Sequence, residues 1–102
     1  RKLDRAPTLV AVTAEQTGDA VSDREDLLAT AVAAYIVLLG AHDLGLAGYW
    51  RTPAVLRDPT GRDAVGIADG EEFVGLLYLG RPRQEQPAPD RAPPADFVEY
   101  LD

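Results

Sequence analysis

The chain has 102 residues, 46% of them hydrophobic, and no cysteine, so it fits a single domain and carries neither a disulfide framework nor a thiolate metal site. A single histidine, His42, excludes a polyhistidine zinc centre. Seventeen acidic against ten basic residues give a formal charge of −7, which disfavours nucleic acid as a partner and fits a soluble cytoplasmic protein kept dispersed by its charge.

The chain opens at Arg1-Lys2-Leu3 with no initiating methionine and no signal peptide, and reads as cut from something longer. After a polar entry ending at Pro7, the run Thr8 to Thr13, TLVAVT, is built of β-formers and is apolar on both faces. Such a run suits an interior strand better than an edge. Glu15 to Val21, with Gly18 and Asp19, has the chemistry of a loop.

The next stretch organises the rest. Ser22, with Glu25 three residues on, reads as a helix cap with its reciprocal partner, and Asp23 and Asp26 reinforce the positive end of the dipole. From Leu27 to Ala41 there is no charge. A helix apolar on every face is expected to be buried on every face. An uncharged run of about fifteen residues falls short of the about 20 needed to cross a bilayer, so no membrane is expected. Small residues at Ala29, Ala33, Val37 and Gly40 oppose a bulkier stripe of Leu28, Val32, Tyr35 and Leu39, which suggests two different neighbours.

Gly45 supplies the stop just past the helix end, and Leu46 to Arg51 reads as a strand with Tyr49 and Trp50. Thr52 followed by Pro53 predicts a cap and the start of a short helix. Asp58-Pro59 repeats that signal and Gly66 closes the second piece. Ala68 to Glu72 is a turn, and Phe73 to Leu79, FVGLLYL, a third strand apolar on both faces. Residues 1–81 thus form an α+β unit, a sheet core flanked by helices. Three such strands need more cover than these helices give, so a missing segment or a second subunit is expected to complete the fold. Residues 82–102 differ, because five of the eight prolines lie between Pro82 and Pro94. They form an extended arm, with Phe97, Val98, Tyr100 and Leu101 able to dock on a surface.

Residue types alone assign no chemistry. There is no phosphate loop, and Gly40 to Gly45 follows a helix instead of a strand, so it fails as a dinucleotide fingerprint. His42 with Asp43 could suggest acid-base work, but a histidine in a last helical turn is more often held there by the dipole. The order of elements, however, and particularly DREDLLATAVAAYIVLLGAHDLGLAGYWRTPAVLRD followed by GIADGEEFVGLLYLGRP, resembles the C-terminal half of the FMN-dependent nitroreductase family, in the small branch with Trp-Arg-Ser or Trp-Arg-Thr after the strand.

That resemblance implies FMN held at a homodimer interface, and hydride passing from NAD(P)H through flavin to nitroaromatic, quinone or similar acceptors. It implies that Trp50, Arg51 and Thr52 line the isoalloxazine ring, with Thr52 as donor and Arg51 as the cation for reduced flavin. It names no catalytic side chain and no metal ligand. Arg81 and Arg83 stand where a phosphate contact is conceivable, though a solvated turn explains them equally. The alternative is a non-catalytic half-domain or assembly module, with the proline-rich arm wrapping a partner subunit.

Overall fold

The computed structural model describes residues 6–102. The elements run β1 (Thr8–Glu15), α1 (Ala20–Asp43), β2 (Ala47–Arg51), a 3-10 turn (Ala54–Arg57), α2 (Pro59–Ala64), β3 (Glu71–Gly80) and a second 3-10 turn (Pro94–Phe97). The three strands form one antiparallel sheet in the order β1-β3-β2. The α+β expectation holds. Within this sheet, however, β1 lies at an edge and β3 takes the centre, because β3 is the one strand with partners on both sides. β3 is also the longest strand and contains the most buried residues.

Strand alternation sorts the side chains. On one face of the sheet Leu56, Leu76 and Tyr78 form the buried core, with Ala6, Leu9, Val65 and Phe73 packed against it. The other face meets α1, whose Leu38 reaches Gly48 of β2 so closely that a Cβ there would lie 2.7 Å from Leu38 Cδ2. Phe73 pairs with Thr13 and Gly75 with Val12, which leaves Val74 as an extra residue, a β-bulge in β3. The bulge switches the alternation, so Phe73 and Leu76 share the core face although an odd number of positions lies from one to the next.

Helix α1 corrects two expectations. Its cap is Asp19, not Ser22. The Asp19 carboxylate accepts from the Ser22 backbone N–H at 3.1 Å and its hydroxyl at 2.6 Å, and these bonds, the hydroxyl's first, hold Asp19 below its ordinary carboxylate value. Asp23 accepts from the Thr17 and Gly18 backbone N–H groups and the Thr17 hydroxyl, tying the loop back onto the first turn.

The helix is also not buried on every face. Only Ala34 and Ala41 are buried. With partly covered Leu27, Ala31 and Leu38 they make a seam at spacings of four and three residues, the single stripe that one sheet face can cover. The bulky stripe of Leu28, Val32, Tyr35 and Leu39 faces outward, each residue at least 50% exposed, and Ile36 beside it is 59% exposed. At 24 residues the helix is long and apolar enough to cross a bilayer by length and composition alone, so the shortness of its uncharged run does not by itself exclude a span.

The helix ends as expected. Gly45 has φ +79°, the Leu46 N–H donates to the Ala41 carbonyl and the Gly45 N–H to that of His42, which is the paired closure of a Schellman motif. Thr52 does not cap the 3-10 turn that comes after β2. Pro53 takes that cap position, with no side-chain bond, since the proline ring has no acceptor to offer the N–H groups of the first turn. Residues 81–102 are exposed throughout, with Phe97 78%, Tyr100 90% and Leu101 91% exposed. The radius of gyration, 16.7 Å, exceeds the about 13 Å of a compact domain this size.

Candidate functional site

The three residues singled out in sequence lie at the end of β2, where the strand leaves the sheet. Consecutive strand residues point to opposite faces, so the structure does not bring Trp50 and Arg51 to one surface. Trp50 turns toward the α1 side and lies across Gly75, where a Cβ would overlap the indole Nε1, Cδ1 and Cε2. Its Nε1–H donates to the Val74 carbonyl at 3.3 Å. The bulge that frees this carbonyl and the glycine beneath it together make a slot for the indole. The signal for that slot was in FVGLLYL, because a glycine inside a strand marks a bulge or a close approach.

Arg51 points the other way, onto the face that carries Tyr49 and Tyr78, which are paired across β2 and β3. Its guanidinium lies over the Tyr49 ring, 5.3 Å from the centroid, a cation–π arrangement. Thr52 is exposed, and its hydroxyl is not used for capping, so it is available as a donor. Pro53 is buried and offers no N–H.

On the Arg51 face a cleft of about 250 Å³ runs along β2 to the start of the arm, with Tyr49, Arg51, Tyr78, Arg81 and Arg83 in its walls and no carboxylate among the described lining residues. Tyr78 is 5% exposed, and its hydroxyl is buried with no hydrogen-bond partner among the described residues. A buried polar group left without a partner costs about 1–3 kcal/mol. Sequence reasoning treated Tyr78 only as part of an apolar strand, since the partner of a hydroxyl is not encoded by its neighbours in sequence.

His42 lies in the last turn of α1 and is exposed. It borders a broader trough between the helix end and the Pro82 to Gln86 segment of the arm. No cluster of three or more metal-ligating side chains occurs among the described residues.

The Nitroreductase family model matches residues 1–81. The chain is 31% identical over 99 residues to the Escherichia coli (strain K12) protein named "Putative NAD(P)H nitroreductase YdjA", an alignment covering 95% of this chain and 54% of that one. The same figures hold for the protein of that name from Escherichia coli O157:H7. Among solved structures, the nitroreductase-like family protein from Bacillus cereus superposes with a TM-score of 0.82 at 22% identity, over 94% of this chain and 51% of that chain. The chain spans about half the length of the curated relatives it matches.

Proposed function

The chain belongs to the nitroreductase family, and on that premise we propose that it forms part of an FMN-dependent oxidoreductase working as a homodimer in the cytoplasm. The family match over residues 1–81 carries this reading. FMN, when bound, supplies the redox chemistry, relaying hydride from NAD(P)H to a nitroaromatic, quinone or similar acceptor.

The end of β2 suits such a group in its donors. The Thr52 hydroxyl is free of capping and would hydrogen-bond the polar edge of the ring. Arg51, partly exposed above Tyr49, would place a positive charge beside the electron-rich reduced form. Trp50 would contribute by holding the end of β2 in place, since its N–H is already bonded to Val74. The outward apolar face of α1, with Val32, Tyr35 and the adjoining Ile36, would bury against the second subunit.

The test is the visible absorption spectrum of the purified protein after adding FMN and removing the excess. A retained yellow chromophore bleached by NAD(P)H supports the enzyme. A folded protein that holds no flavin overturns it in favour of an assembly module, a reading supported by the exposed apolar residues of the arm, Phe97, Tyr100 and Leu101. In the flavin-bound protein, Arg51→Ala should lower the reduction potential; an unchanged potential removes that role from Arg51.

A further inference from the structure

We infer that Val74 and Gly75 of β3 are positioning residues for the proposed flavin site: with the Trp50 indole they form a latch that fixes where β2 leaves the sheet, and so where Thr52 is presented. The pairing of β2 with β3 ends at Arg51 opposite Leu76. One register step further puts Thr52 opposite Gly75, and a second puts Pro53 opposite Val74. A proline has no N–H to give to a ladder, so β2 continued in register has no backbone donor for Val74. The pairing with β1 does not use Val74 either, because it is the extra residue of the bulge. The Trp50 Nε1–H donates to the Val74 carbonyl at 3.3 Å, so a side chain closes the ladder where the backbone cannot.

The second observation is steric. A Cβ on Gly75 would overlap Nε1 and come within 2.7 Å of Cδ1, so the indole can reach the carbonyl only across a residue with no side chain. The bulge supplies the acceptor, the glycine the space and the tryptophan the donor. What these three hold is the exit from the strand. Thr52 lies outside β2 and caps nothing, while the buried Pro53 leads directly to Leu56 in the core. Thr52 is therefore suspended between two anchors, the indole in its slot on one side and Pro53 with Leu56 on the other. The inference rests on the flavin reading of Thr52 and adds to it two residues of another strand, which act through Trp50.

Peptide-level hydrogen exchange on the full-length protein as it purifies tests the latch, and FMN titration with the visible spectrum tests what the latch positions. Trp50→Phe keeps a ring and removes the N–H, whereas Gly75→Ala expels the indole. Each should speed exchange across residues 52–56 at least about threefold more than it speeds exchange in the β1–β3 pairing. Gly75→Ala should add nothing in a Trp50→Ala background, because no indole is left to expel. In the flavin-bound protein both variants should weaken FMN about three- to tenfold, the effect of one hydrogen bond, and shift the visible flavin band, which a loss of overall stability would not do. Equal acceleration in both regions, or none, overturns the latch, as does an undiminished Gly75→Ala effect without the indole. Faster local exchange with unchanged FMN affinity and spectrum overturns the positioning role. A wild type that holds no FMN is instead a failure of the flavin reading and takes the positioning of Thr52 toward flavin with it, while the exchange rates decide the latch on their own.

Discussion

The central strand and the long helix are the two most apolar stretches of the chain, and they meet opposite fates. Leu76 and Leu77 of β3 are 1% and 0% exposed, whereas Leu28, Val32, Ile36 and Leu39 of α1 are each at least half exposed. The cause is position. β3 has a strand on each side, α1 on one face and Leu56 with Val65 on the other, while α1 has one sheet face to lie on and can cover one seam. An apolar run therefore reports that a surface is covered in the working protein, without naming what covers it.

Two core-sized substitutions sharpen that contrast most. Leu77→Ala should cost about 2–5 kcal/mol at any protein concentration, as a cavity in a filled core does. Ile36→Ala should cost no more than about 0.5 kcal/mol if the helix face meets only water. The proposed homodimer predicts instead a larger loss at Ile36 that grows as the protein is diluted. Denaturant titrations at two protein concentrations separate these outcomes.

A smaller effect probes how each element is seated. Gly75→Ala puts a methyl into the Trp50 indole and should cost about 1–3 kcal/mol, with a red-shifted tryptophan emission as the ring leaves its slot. Gly48→Ala meets only the far end of Leu38 and the tip of Leu79, which can move aside, so its cost should be smaller. Equal losses at the two sites would mean that the slot under Trp50 is no more rigid than the helix contact. At the end of α1, Gly45→Ala, at φ +79°, should cost about 1 kcal/mol, measurable as a lowered Tm.

The elements are legible in the sequence because each start and stop is local chemistry: Gly45 and Gly66 have the positive φ expected of stops, and Asp58-Pro59 opens α2. The cap of α1 is misplaced by such a reading because Ser22, Asp19 and Asp23 are all able to cap, and the choice depends on how the loop closes on Thr17. Neither the central position of β3 nor the bulge at Val74 can be read locally, since both depend on pairings between residues far apart in the sequence. At the site, the motif Trp50-Arg51-Thr52 is visible in sequence, but its division between two faces depends on β2 continuing as a strand through Arg51. The Tyr78 hydroxyl is hidden from sequence because burial without a partner is a property of the fold.

The smallest predicted effect lies in acid, where the turn before β3 and the start of α1 use the same device. The Glu71 carboxylate accepts from the Ala68 N–H at 2.7 Å and the Thr13 hydroxyl at 2.8 Å, and its pKa is lowered by these bonds, the Ala68 bond foremost. Asp23 is lowered chiefly by the Thr17 N–H. A carboxyl whose folded pKa lies below its unfolded value stabilises the fold above the unfolded value of about 4, and the contribution disappears as pH falls through the folded value. Wild-type Tm should therefore fall between about pH 4.5 and 3. Glu71→Gln removes one of the titrating groups while keeping an acceptor for one of the two donors, so its Tm should start lower at neutral pH and decline less steeply through that window. A slope identical to the wild type would show that the strap from Thr13 to the turn contributes nothing to acid sensitivity, leaving the loop at the head of α1 as its source.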